Sequence, residues 1–266
     1  MTDLGFPTPL ATPRDGALIA VWFSCGAASA VAAKKTLEIY GGRCVVRVIN
    51  SPVIEEDEDN RRFLKDVEKW LGVPVETAIN SEYPNCSARE VWEKRKFMAG
   101  PNGAPCTEQL KKEARYQWER ANRPDWHVLG FTADEAKRSR NFILGERGNL
   151  LPVLIDAKIT KAMCFDIVRA AAIALPQAYL RGYPNANCKG CVKATSPTYW
   201  NHVRRVDPEV FKDRAEQSRR MGKDGCRLVE YKGERIFLDE LPPDAVGAPM
   251  KTLGSECGVF CEEKAA

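Results

Sequence analysis

The chain has 266 residues, of which 44% are hydrophobic and 29% charged, enough to bury a sizeable core and too apolar for wholesale disorder. Forty Lys and Arg against 36 Asp and Glu leave a formal charge of +4, a balance that neither requires nor excludes nucleic acid. With only two histidines, His127 and His202, chemistry built on clustered imidazoles is excluded, and no apolar run reaches the roughly 18 residues of a membrane-spanning helix.

Residues 1–16 read as a loose arm. Its acids and prolines do not make a secretory signal, so a cytoplasmic protein is expected. In that compartment the ten cysteines point to metal or redox work rather than disulfides. The continuous apolar run at 17–23 predicts a buried strand. A turn containing Gly26 follows, then a helix over 27–40 that Gly41 and Gly42 stop. A second strand spans 44–49, closed by Asn50 at a sheet end suited to holding a ribose or base. After the acidic run 55–59, Phe63, Leu64, Val67, Trp70 and Leu71 recur at helical spacing up to Gly72. Further strands are expected at 73–78 and 126–131, with a helix over 108–121 between them. This alternation over 17–175 predicts an α/β layer with a parallel sheet. Residues 176–266 are richer in proline and short segments, with one hairpin expected around Lys232 and Gly233. Three regions are therefore expected: the arm at 1–16, a nucleotide-binding α/β domain at 17–175, and a metal-binding or substrate region at 176–266.

The segment Ser24-Cys25-Gly26-Ala27-Ala28-Ser29 joins the first strand to the first helix. Backbone N–H groups at such a helix start point into the crevice at the sheet end, and the helix dipole favours an anion there. It lacks the lysine and spacing of a Walker loop. Beyond that turn, Cys188-x2-Cys191 and Cys257-x3-Cys261 are two close pairs far apart in sequence, a common way to assemble a thiolate metal site. Zinc would use all four sulfurs; iron–sulfur remains equally open on this pattern. Cys44 and Cys164 sit in apolar patterns and read as buried thiols.

The turn at 24–29 resembles the PP-loop of the adenine nucleotide alpha-hydrolase superfamily, usually SGGxDS, with Cys25 for the first glycine and Ala28 for the aspartate. In the same order, Pro105-Cys106-Thr107 through Leu110-Lys111 resembles the CTxxLK segment of phosphoadenylyl-sulfate (PAPS) reductases. The stretch from Gly130 to Glu135 and Arg138 is similar to their glycine–acid–arginine loop. The segment from Leu151-Pro152 to Ile155 resembles the following "PL" strand, that from Gly182 to Cys188 and Cys191 the CxxC region of the iron–sulfur members, and Glu256-Cys257-Gly258 their C-terminal ECG motif. The resemblance implies a Rossmann-like parallel sheet with helices on both faces. It implies ATP or a PAPS-like nucleotide held by Ser24, Cys25, Gly26, Ala27, Ala28, Ser29, Asn50, Gly130 and Arg138. It further implies a [4Fe-4S] cluster on Cys106, Cys188 and Cys191, with Cys257, Cys261 or an exogenous ligand as the fourth. If Cys261 closes the cluster, Cys257 is free to act as a catalytic thiolate. The loss of an aspartate at Ala28 bears on the magnesium–pyrophosphate chemistry usual in the superfamily.

The function expected is nucleotide-dependent sulfur chemistry. In one version an acceptor oxygen attacks the α-phosphate, pyrophosphate leaves, and a sulfur nucleophile then displaces AMP. In the other, Cys257 attacks the sulfur of a sulfonucleotide and a dithiol reductant protein resolves the product. A nucleic acid as acceptor and a homo-oligomer are both compatible with the sequence; a membrane partner is not expected. The doublets Arg204-Arg205 and Arg219-Arg220, with Tyr199 and Trp200 upstream, suit either a polynucleotide track or a solvated helical face carrying pairs such as Glu216 with Arg220; the second reading is favoured. The non-enzymatic alternative is a nucleotide- or nucleic-acid-binding module with a structural four-cysteine zinc site.

Overall fold

The computed structural model describes residues 12–101, 103–222 and 224–250; Cys257, Cys261 and most of the N-terminal arm lie outside the described residues. The apolar run after the arm forms β1 (Leu18–Trp22), and the turn at 24–29 leads into α1 (Ala27–Tyr40). Small side chains at Ala27, Ala30, Ala32 and Ala33 are fully buried and let this helix lie close against the sheet and its neighbours. Next come β2 (Val45–Asn50), α2 (Asn60–Leu71) and β3 (Val75–Thr77). Phe63, Val67 and Leu71 form the buried stripe of α2, as their spacing predicts. β4 (Trp126–Val128) completes a sheet ordered β3-β2-β1-β4 with every pairing parallel. Side chains alternate across β1. Ile19 and Val21, followed by Phe23, face the cluster shared with α1 and α2, whereas Ala20 and Trp22 face a second cluster with Trp118, Phe131 and Phe142. Both faces are thus covered, as parallel sheets require.

Between β3 and β4 lie α3 (Ala88–Arg95), a short α4 (Pro105–Thr107), a π-helical turn at Glu108–Glu113 and α5 (Ala114–Asn122). The helix expected from Glu108 therefore starts earlier, at Pro105 in a first-turn position that needs no N–H, and carries a π segment. After β4 come α6 (Ala136–Gly145), α7 (Val153–Asp156) and α8 (Lys161–Ala170). The "PL" strand expected at Leu151-Pro152 is not one. Only Leu150 bridges His127 in parallel fashion. Pro152 then offers no ladder donor and its carbonyl instead accepts from Ile155 N at 2.9 Å, opening α7.

The remainder comprises α9 (Gln177–Leu180), α10 (Pro197–Val206), α11 (Pro208–Met221) and the expected hairpin, β5 (Val229–Tyr231) with β6 (Glu234–Ile236). Lys232 and Gly233 turn it at φ 52° and 84°, the left-handed pair of a tight hairpin. This region does not make a core alone. Its apolar cluster, with Trp200, Val203, Leu228 and Leu238, also takes in Trp92, Met98 and Leu110 from the excursion between β3 and β4.

Three of the four arginines of the basic doublets are engaged within this lobe, while Arg205 is exposed beside His202. Arg204 donates to the carbonyls of Leu238 and Leu241, Arg219 pairs with Asp239 and Glu240, and Arg220 pairs with Glu93 across the lobe rather than with Glu216. Tyr199 and Trp200 are buried, which removes them as stacking platforms. Cys44 and Cys164 are buried thiols, as expected. Among the described residues no helix is long and apolar enough to cross a membrane.

Candidate functional site

A parallel sheet whose first strand has its sequence neighbour β2 on one side and the late strand β4 on the other has a reversal of strand order between β1 and β4. At such a switch point the connections leave in opposite directions and open a crevice beyond the carboxyl ends of the strands. A cleft lies there. It is lined from β1 and the following turn by Trp22, Ser24, Gly26, Ala28 and Ser29, and from the end of β4 by Leu129, Gly130, Phe131 and Thr132. Glu135 and Arg138 of the α6 entry, Lys161, Tyr179 and the loop Asn185-Ala186-Asn187 close the far side.

The turn is built by its own hydroxyls. Ser29 Oγ donates to Gly26 O at 2.9 Å and accepts from Ser24 N at 3.1 Å, and the Ser24 and Ser29 hydroxyls lie 3.2 Å apart. Gly26 caps α1 in extended conformation with no side chain over the helix end; the first-turn N–H groups have no acceptor within the helix, and Gly26, Ala28 and Ser29 of this helix start line the cleft. A Cβ at Gly26 would stand 3.2 Å from Tyr179 Oη. A Cβ at Gly130 would stand 2.8 Å from Ser29 N and 3.0 Å from Ser29 Cα. These are backbone atoms that cannot swing away, so the absence of a side chain at Gly130 is what lets β4 approach the start of α1.

Cys25 occupies the left-handed region at φ 57°, a strained place for a residue with a side chain. Its thiol turns inward, accepting from Asn50 Nδ2 at 3.6 Å, while the same amide donates to Phe23 O at 2.7 Å. Burial, reinforced by Glu56 and opposed by Lys111, pushes the Cys25 thiol far above its ordinary pKa, so it is a neutral packing group. Cys25, Ala27 and Asn50 thus sit beneath the turn and shape it from behind; Ser24, Gly26, Ala28, Ser29, Gly130 and Arg138 line the cleft itself.

Opposite the turn, Arg138 donates to Glu135 Oε1 at 2.8 Å and lies over the Phe131 ring at 5.2 Å. Glu135 also accepts from Thr132 N and Oγ1, each at 3.2 Å. The Lys161 ammonium donates to Pro184 O at 3.0 Å and Asn185 Oδ1 at 2.8 Å. Arg138, Lys161, the start of α1 and the half-buried faces of Leu129 and Tyr179 thus line one cleft, a lining chemically able to receive an anion joined to a flat apolar group. Lys161, Tyr179, Asn185 and Asn187 were not legible as site residues. The asparagines do fall in the turn-rich stretch leading to Cys188, which was the one available signal.

The acidic run 55–59 does not line this cleft, and apart from Glu58, whose side chain is exposed, its acids are engaged by other parts of the protein. Glu55 receives Ala88 N at 2.8 Å, Arg89 N at 3.0 Å and Ser87 Oγ at 2.9 Å at the start of α3. Glu56 pairs with Lys111 at 2.8 Å, Asp57 with Arg181, and Asp59 with Arg62 at 2.6 Å.

The cysteines expected to bind metal lie on the neighbouring lobe. Cys191 is buried in its apolar cluster, and Cys106 and Cys188 pack against that cluster half-buried. Gly190, at φ 63°, makes the knuckle between the pair, and Cys191 N donates to the buried Tyr199 Oη at 2.8 Å. Among the described residues no three His, Cys, Asp or Glu side chains form a group able to hold a metal ion. Cys257 and Cys261, the other expected ligands, are outside the described residues.

Parallel order, small-residue turn and switch-point cleft define an α/β protein compatible with a Rossmann-like fold. The chain matches no model of a known protein family and no curated protein.

Proposed function

We propose that the cleft between β1 and β4 binds an adenine nucleotide, ATP or a PAPS-like sulfonucleotide, with its phosphates on the turn 24–29. In this reading the chain performs PAPS reductase-like chemistry, cleavage or adenylation at the α-phosphate coupled to sulfur transfer or reduction. The observation that carries the binding half is the meeting of the open α1 start with Arg138 and Lys161 across one crevice. The first-turn N–H groups and the Ser24 hydroxyl take phosphate oxygens, the two cations balance the charge, and Leu129 and Tyr179 flank the base. Support for the sulfur half is the ordered likeness of Cys106, Lys111, Arg138, Cys188 and Cys191 to the reductase motifs. A second reading, a module that binds nucleotide without cleaving it, is favoured by one feature. Glu135 is the acid lining the cleft, and it is already engaged by Arg138 and Thr132.

Titration calorimetry with ATP and PAPS, followed by assay of AMP, pyrophosphate and adenosine bisphosphate, separates these readings. Binding with product release supports the enzyme, and binding alone supports the module. Gly26→Val should abolish affinity while circular dichroism stays unchanged, because branched methyls beside Tyr179 Oη fill the phosphate approach. Unchanged affinity in that folded variant, or no binding of either nucleotide to the parent protein, defeats the proposal.

A further inference from the structure

Lys161 opens α8, beside α1, and faces the cleft, yet both acceptors bonded to its ammonium belong to another segment. Its ammonium carries three N–H donors. Two are taken by Pro184 O and Asn185 Oδ1, which leaves one for a ligand. The tethered loop continues through Asn185, Ala186 and Asn187, all lining the cleft, directly into Cys188. Beyond the cleft the same loop is anchored from below. Asn60 Nδ2 donates to Ala186 O at 3.3 Å, Glu56 bridges Cys188 in antiparallel fashion, and Lys189 N donates to Glu55 O at 3.1 Å.

We propose that Lys161 is a positioning residue that couples occupancy of the cleft to the cysteine turn: a bound phosphate takes its third N–H and, through the same ammonium, fixes the loop 184–187 that precedes Cys188. The inference rests on the nucleotide reading and goes beyond it by assigning a route from the phosphate to the neighbouring lobe. A lysine ammonium suits this role because its donors fan out from one point. An anion that immobilises the ammonium also immobilises the two acceptors hanging from it. The segment before Cys188 then opens less often, and local opening is what backbone hydrogen exchange reads.

The experiment is hydrogen exchange on the full chain with and without saturating ATP, resolved at 24–30 and at 185–189. In the parent protein ATP should slow exchange at both. In Lys161→Met, ATP affinity should fall roughly tenfold or more, the worth of one charged hydrogen bond. At saturation the protection at 24–30 should return while that at 185–189 is lost. Asn185→Ala keeps the ammonium and cuts one tether. It should retain protection at 24–30 and lose most of it at 185–189, and it decides the coupling if Lys161→Met fails to fold or to bind. Absence of ATP protection at 24–30 in the parent protein overturns the nucleotide reading itself. Protection at 24–30 without any at 185–189, or protection at 185–189 undiminished in Lys161→Met and Asn185→Ala, overturns the coupling alone.

Discussion

His127 shows how much a single side chain in this sheet commits to one protonation state. It sits on β4 behind the cleft, where Trp22 Nε1 approaches its Nδ1 at 3.1 Å and Arg147 Nη1 its Nε2 at 2.9 Å. Burial first, then the charges of Arg147 and Arg115, hold its pKa down at about 3. The neutral ring is the folded form. Between pH 6.5 and 3 the unfolded chain binds the proton that the folded chain refuses. The stabilisation is therefore complete above about pH 6.5 and is lost as pH falls toward 3, with a slope of up to ~1.4 kcal/mol per pH unit from this one group. Urea unfolding at a series of pH values should show that slope in the parent protein and its disappearance in His127→Gln; an equal slope in both would place the acid sensitivity elsewhere. Because Trp22 is part of the cleft wall, the same protonation should disturb the site before the rest of the sheet. Nothing in the sequence marks His127 for this. What makes it special is Arg147 and Trp22, residues brought to it only by the fold.

At the scale of elements, the strands and helices that flank the cleft were readable because their causes are local. The apolar run of β1, the alanines of α1 and the helical stripe Phe63, Val67, Leu71 carry their own periodicity. The turn at 24–29 was readable as a turn for the same reason, small residues between a strand and a helix, whereas Gly130 was singled out only through the resemblance to the reductase loop. The expected "PL" strand was not realised, because Pro152 ended the ladder two residues after Leu150 had paired. The acids at 55–57 were illegible for a different reason: their partners, at the start of α3, on the π-helical turn and after α9, come from distant elements, whereas Asp59 pairs locally with Arg62. Glu56 illustrates the consequence. It pairs with Lys111 on the π-helical turn, and both side chains are nearly out of solvent, at 11% and 3% exposure. Lys111 also donates to Ser51 O at the end of β2, so the pair ties the excursion between β3 and β4 to the sheet end. Lys111→Met leaves a buried carboxylate without its cation and should cost about 3–5 kcal/mol of unfolding free energy. The double variant Lys111→Met, Glu56→Leu should recover much of it, since a well-packed apolar pair replaces a desolvated ion pair with little loss. Denaturant unfolding of the two variants checks this. A double variant no more stable than the single one would show that the pair does more than cancel its own charges.

For the whole molecule, the architecture places two lobes around one crevice. One lobe is the parallel sheet with its turn and Gly130; the other joins the excursion between β3 and β4 to the segment after α9. Lys161 and the loop 185–187 stand where the lobes meet the cleft. The central claim is that an adenine nucleotide occupies this crevice, and photo-cross-linking with 8-azido-ATP tests it most directly. Peptide mapping should place the adduct on residues 22–29, 129–138 or 179–187, and excess ATP should suppress it. An adduct confined to the hairpin or to α10 and α11, or labelling that ATP does not compete, would contradict the account.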